Sequence, residues 1–172
     1  MIIPYVQTDK GTWSLSDEVM VGIFHEMAIH SLDRVVFANG TVTSPLEWMT
    51  FIKDKRNVVH IVGDGKDIEM IAWLNSFGHN YAFAHFCAFP CSWGKTSEDA
   101  GIESLSYWFN DLKAPGFEID VMLGQVPATN VRAIEYVKKL GLIELGTVPL
   151  IKYKNGDNAI GAFFCYITRE EF

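Results

Sequence analysis

Residues Tyr81 to Leu112, YAFAHFCAFPCSWGKTSEDAGIESLSYWFNDL, constrain the fold more than any other stretch of the chain. Tyr81, Phe83, His85, Cys87 and Phe89 alternate with Ala82, Ala84, Phe86 and Ala88, the pattern of a strand buried on both faces. Pro90 ends it, Cys91 to Thr96 form a short loop with one glycine and one cation, and Ser97 opens a segment with Ile102, Leu105, Phe109 and Leu112 at helical spacing. The first amides of such a helix lack partners within it, and the aligned peptide dipoles make that end positive. The loop is therefore suited to cradle an anion such as phosphate or pyrophosphate. Strand, loop and helix also follow one another throughout α/β proteins with no ligand between them. Glu98 and Asp99, although favourable to the dipole, would repel a phosphate that they faced.

The rest of the chain narrows the class. At 172 residues and 49% hydrophobic content it reads as a single domain, 1–172, able to bury a substantial core. A formal charge of −7 argues against sequence-independent nucleic-acid binding, which needs a basic footprint, and leaves local basic spots at Lys138, Lys139, Lys152 and Lys154. The apolar run around Phe83 is too short for a membrane span and contains His85, and MIIPYVQTDKG has neither the basic start nor the apolar run of a signal peptide. Neither nucleic acid nor membrane is expected as a partner. Cys87, Cys91 and Cys165 form no CxxC pair, which suggests neither a disulfide framework nor a zinc site and makes the reducing cytoplasm the simplest location. His25, His30, His60, His79 and His85 show no metal-ligand spacing, so no metal is expected.

Taken in order, Met1 to Gln7 reads as a short edge strand. Ser16 caps a helix with Val19, Ile23, Phe24, Met27 and Ile29 on its apolar face, and Arg34 to Ala38 reads as a short strand or an extended linker. Ser44-Pro45 opens a second helix carrying Leu46, Trp48, Met49, Phe51 and Ile52. Asn57 to Val62 and Ile68 to Phe77 flank the turn residues Gly63-Asp64-Gly65-Lys66, and with the strand from Tyr81 they make a three-strand meander. Ala114-Pro115-Gly116 breaks the chain, Phe117 to Leu123 is a strand, and Gly124 to Pro127 closes it. Asn130 opens a helix with Val131, Ala133, Ile134, Val137 and Leu140 inward and Gly141 at its C-terminal turn. Leu142 to Tyr153 and Ala159 to Thr168 then flank Asn155-Gly156-Asp157-Asn158 as a closing hairpin, whose Ala162, Phe163 and Phe164 are suited to pair with a second copy in a homodimer. The fold class is α+β with a mixed, mostly antiparallel sheet.

The second signal lies at Asn130 to Gly141, NVRAIEYVKKLG. Asparagine, alanine three residues on, and a closing Leu-Gly pair resemble the late motif of the GNAT acyltransferase superfamily, and Trp93-Gly94-Lys95-Thr96 occupies the position of that family's pyrophosphate loop. The order of elements resembles the family over nearly the whole chain, and HFCAFP before WGK, GQVPATN and TREEF look closest to GNAT-like proteins of phages and prophages. The resemblance implies a six- to seven-stranded sheet flanked by about four helices and splayed between its fourth and fifth strands. It also implies acetyl-CoA as co-substrate and a small-molecule or protein amine as acceptor. By the same resemblance the pantetheine arm would pair with backbone groups of Phe86, Cys87 and Ala88. The pyrophosphate would sit on amides of Trp93, Gly94, Lys95, Thr96 and Ser97, and Asn130 would bond backbone or cofactor, or serve simply as a helix cap.

The departures concern catalysis. The family's usual tyrosine acid aligns with Val137, with Tyr136 one position early and about 100° away around the helix, and its usual carboxylate base aligns with Ala82. His85 is the nearest titratable substitute for a base, unless it is a packed core histidine, and only a bulge would turn it to the face of Ala82. Glu118 and Asp120 are further candidates. Two functions follow: an acyl-CoA-dependent N-acyltransferase working by direct attack, with Phe86 N–H polarising the carbonyl, or a GNAT-shaped binding protein without turnover. A degenerate P-loop at Gly94-Lys95-Thr96 fails on spacing, because Phe89 stands where that motif needs glycine.

Overall fold

A computed structural model describes residues 1–64, 67–112, 118–151 and 160–172. The expected turn residues Gly65 and Lys66, the break at Ala114-Pro115-Gly116 with Phe117, the hairpin tip Asn155-Gly156-Asp157-Asn158, and Lys152, Tyr153, Lys154 and Ala159 lie outside the described residues. The strands are β1 (Ile2–Tyr5), β2 (Val58–Gly63), β3 (Ile68–Asn75), β4 (Tyr81–Ala88), β5 (Val121–Pro127), β6 (Ile143–Ile151) and β7 (Ile160–Thr168). The helices are α1 (Asp17–Ile29), α2 (Leu32–Val36), α3 (Pro45–Ile52), α4 (Lys95–Ser106) and α5 (Val131–Lys139). One seven-stranded sheet runs β1-β2-β3-β4-β5-β7-β6, antiparallel at every junction except the parallel pair β4–β5.

Each sheet face carries its own core. On one side Met70, Ala72, Leu74, Ala82 and Ala84 meet Ala100, Leu105, Trp108, Val137 and Leu140 of α4, the π-helical turn Tyr107–Asp111 and α5. On the other, Val59, Ile61, Ile71, Trp73 and Cys87 meet Met20, Phe24 and Met27 of α1, Phe37, and Trp48 of α3. The Trp48 indole N–H donates to the Met20 carbonyl at 2.8 Å, so this buried ring is satisfied where α1 crosses α3.

Several expectations are corrected by packing. Arg34 to Ala38 is no strand: residues 32–36 form α2, entered through Ser31 in the left-handed region at φ 57°. The buried stripe of α1 is Met20, Ile23, Phe24 and Met27; Val19 lies about 90° off it, Ile29 lies opposite, and both are exposed. Val131, Leu46 and Ile102 are likewise outside the core. Strand β5 starts at Val121, four residues later than expected, and runs through Gly124–Pro127, because Val126 and Pro127 complete the ladder to Phe163 and Ala162 of β7. That ladder also places Ala162, Phe163 and Phe164 inside the sheet between β5 and β6, so these residues offer no free edge to a second copy. The edge strands are β1 and β6, and on β6 Leu145 and Val148 are exposed. No helix among the described residues is long and apolar enough to cross a membrane.

Candidate active site

Strands β4 and β5 pair only at Tyr81–Val121, Ala82–Met122 and Phe83–Leu123. Beyond that point β4 continues to Ala88 bonded to β3, and β5 continues to Pro127 bonded to β7, so the sheet parts. Backbone geometry says whose groups face the gap. The Phe89 N–H donates to the Glu69 carbonyl at 2.9 Å, which fixes the antiparallel phase: Phe83, His85 and Cys87 direct their N–H and C=O to β3, and Ala84, Phe86 and Ala88 direct theirs to β5. The Val121 N–H, donating to the Asn80 carbonyl at 3.2 Å, gives the same phase. Of the trio expected to present backbone groups here, Phe86 and Ala88 do so. Cys87 does not: its backbone is committed to β3, and its thiol lies in the opposite core, pushed up to about 12 by burial and then by the Asp33 charge.

The mouth of the gap is the N-terminus of α4. Ser16, Ser44 and Asn130 cap their helices, accepting from the amides of Val19, Glu47 and Ala133 at 3.4, 3.3 and 3.2 Å. Helix α4 has no side-chain cap. It begins at Lys95, two residues before the expected Ser97, because Gly94 at φ 101° turns the chain there. The first intrahelical bond is Glu98 N–H to Gly94 O, 3.2 Å, so the amides of Lys95, Thr96 and Ser97 precede the helical ladder. The acids that would repel an anion are neutralised: Glu98 pairs with Lys139 at 2.8 Å and Asp99 with Lys95. The Trp93 amide faces Pro90 O at 3.4 Å, while its indole N–H donates to Ala88 O at 3.1 Å and its ring carries the Arg132 guanidinium 4.4 Å from the centroid. Asn130 has the geometry of a helix cap, with its own N–H on Pro127 O at 2.8 Å.

The titratable candidates are dispersed. His85 alternates away from Ala82 with no bulge in β4, stacks on Trp73 at 5.2 Å, and lies with Nε2 3.0 Å from Asn75 Oδ1. Burial pushes it down to about 4. Tyr136 donates its hydroxyl to Ser97 O at 2.9 Å and packs edge-on to Phe86 at 5.9 Å; burial, then the Glu98 charge, raises its phenol far above the usual range. Val137 and Ala82 are core residues. Asp120 accepts from Asn80 Nδ2 at 3.3 Å and faces Arg169, and Glu118 is exposed.

The face that bears His85 holds residues the sequence reading passed over. Phe37, Trp73 and His85 form a stack with centroid spacings of 5.6 and 5.2 Å. Trp73 Nε1 and Asp33 Oδ1 are buried there without a hydrogen-bond partner among the described residues, one a donor and the other an acceptor. The signal that could have found Asp33 is its place four residues before Phe37 on one helical face, hidden once α2 was read as extended. A cavity of about 590 Å³, lined by Phe51, Asp54, Asn57, Asn75 and Phe77, lies beside Asn75, the partner of His85. No group of three or more His, Cys, Asp or Glu arranged for a metal is found among the described residues.

No family model matches the sequence, and no curated protein matches it either. Solved structures do. Spermidine N-acetyltransferase from Vibrio cholerae in complex with CoA and spermine superposes with a TM-score of 0.73 at 14% identity over 99% of this chain and 96% of that one. The chain has the GNAT fold. A point mutant of the same Vibrio cholerae enzyme gives 0.71 at 16% identity over 98% and 94%, and its dodecameric intermediate state gives 0.66 at 16% over 99% and 94%. Likeness at this identity reaches the fold: a GNAT sheet opened between β4 and β5, with α4 starting at the opening.

Proposed function

We propose that the protein is an acyl-CoA-dependent N-acyltransferase that transfers an acetyl group from acetyl-CoA to an amine by direct attack. The observation that carries this reading is the juxtaposition of a strand edge with no partner strand, Phe86 to Ala88, with the one helix N-terminus that has no side-chain cap among α1, α3, α4 and α5. An extended amide-bearing arm satisfies the first and a diphosphate satisfies the second. The solved neighbour of the same fold that holds CoA supports the reading. The phage-type stretches noted in the sequence would place the activity in phage-related biology.

In this reading the free N–H of Phe86 donates to the thioester oxygen as charge develops on it, the neutral amine nitrogen bonds to the carbonyl carbon, and the C–S bond breaks; the proton shed by the nitrogen passes through solvent to the leaving thiolate and gives the CoA thiol. His85, held near pKa 4, is too weak a base to deprotonate an alkylammonium, so the amine arrives neutral from solvent. Accordingly kcat/KM should rise with pH up to the pKa of the acceptor itself.

Calorimetric titration with acetyl-CoA, with ATP as control, tests the cofactor; release of free thiol with a panel of amines tests turnover. No acetyl-CoA binding would exclude the acyltransferase. A second reading, a GNAT-fold binding protein without turnover, is favoured by Ala82 and Val137 in the core and by the Tyr136 hydroxyl being tied to Ser97. Acetyl-CoA binding with no thiol release for any amine selects it.

A further inference from the structure

The gap between β4 and β5 is spanned at its outer end by two side chains from opposite sides. Trp93, from the loop after β4, gives its indole N–H to the Ala88 carbonyl at 3.1 Å. Arg132, in the first turn of α5 just beyond β5, lies over that indole at 4.4 Å. Ala88 is the last residue of β4, and its carbonyl is turned away from β3 toward the gap. The indole thus occupies the acceptor that a cofactor arm lying along β4 would use. Arg132 has a further property: Lys95, Lys138 and Lys139 are all paired with acids, whereas Arg132 has no acid partner among the described residues. A guanidinium held on an aromatic face beside unladdered helix amides keeps its hydrogen-bonding fork open to phosphate oxygens.

We propose that Trp93 and Arg132 form a gate on the cofactor cleft: the indole holds Ala88 O while the cleft is empty, and on entry of an acyl-CoA it yields that carbonyl to an amide N–H of the arm while Arg132 turns onto a phosphate. This rests on the acyltransferase reading and adds to it two residues with separable roles. Trp93 opposes binding through one hydrogen bond. Arg132 favours binding through charge. No bond to β5 competes for the Ala88 carbonyl, so exchange of one donor for another leaves it satisfied throughout. Trp93 is about half exposed, at 48%, so its ring can swing outward without opening the core.

The test is calorimetry of W93F and R132A with acetyl-CoA and with S-acetylpantetheine, which lacks the phosphates, together with tryptophan emission during titration. W93F keeps a ring for Arg132 but removes the N–H, and acetyl-CoA should bind it about fivefold more tightly. The wild-type emission change on binding should be lost in W93F. R132A should weaken acetyl-CoA about tenfold and leave S-acetylpantetheine unchanged. Equal acetyl-CoA affinity in wild type and W93F, with no Trp93 emission change, overturns the gate while the acyltransferase reading stands. Equal weakening of both ligands by R132A makes Arg132 a structural residue and overturns its phosphate role. Absence of acetyl-CoA binding in wild type and W93F alike overturns the acyltransferase reading and the gate with it.

Discussion

His60 is wholly buried between β2 and α4, with Nε2 2.9 Å from Ser104 Oγ, the rings of Tyr107 and Trp108 edge-on at 5.2 and 5.1 Å, and Nδ1 without a partner among the described residues. Burial pushes its pKa down to about 3, so the folded protein keeps it neutral while the unfolded chain takes a proton near 6.5. The contribution is complete above the unfolded value and is lost as pH falls from there toward 3, at about 1.4 kcal/mol per pH unit. Asp54, lowered to about 2 by Arg56, adds acid sensitivity only at lower pH. The melting temperature should therefore drop between pH 7 and pH 5, and His60→Leu should flatten that drop; calorimetry showing an unchanged slope would refute the assignment. Sequence reading singled out His85 because a motif surrounded it, but nothing local marks His60. Its environment is made by Ser104, Tyr107 and Trp108, more than forty residues away in the chain.

Helix α4 is the element on which the site depends, and Gly94 is its pivot. A Cβ there would meet no atom within 4 Å, so the obstacle to substitution is conformational: φ 101° is a region β-branched residues avoid. Gly94→Val should cost about 1–3 kcal/mol of stability and shift the free amides, weakening acetyl-CoA binding at least tenfold by calorimetry. A tightly binding G94V protein would remove the amides from the cofactor site. Ends with local chemistry were legible in the sequence: Ser16, Ser44 and Asn130 cap where expected, and Gly141 turns the chain after α5 at φ 89°. The limits of β5 were not. Gly124 and Pro127 look like a turn, yet Gly124 lies against Cys165 Sγ so closely that a Cβ would stand 2.7 Å away, and β7 carries the strand through both.

The molecule is a sheet in two leaves, β1 to β4 and β5-β7-β6, joined in the sheet by three paired residues of β4 and β5. A ligand lying in the gap bridges the leaves and binds only the folded protein, so acetyl-CoA at a hundredfold excess over its Kd should add about 2.7 kcal/mol and raise Tm by roughly 5–10 °C. ATP, which lacks the arm, should raise it far less; equal shifts would mean that the gap is not engaged. The sequence alone determined the α+β class, the order of the strands and helices apart from α2, and the glycine turn before α4. Each of these is written in periodicity, capping chemistry or the identity of one side chain. Only the tertiary structure decided which β4 carbonyls face the gap, that Trp93 takes one of them with Arg132 above it, and that Asp33 Oδ1 and the Nε1 of Trp73, which stacks on His85, are buried without a hydrogen-bond partner among the described residues. Those facts depend on ladder phase and on side chains from different elements meeting across the sheet. Spacing along a chain cannot encode a contact whose partner is chosen by the fold.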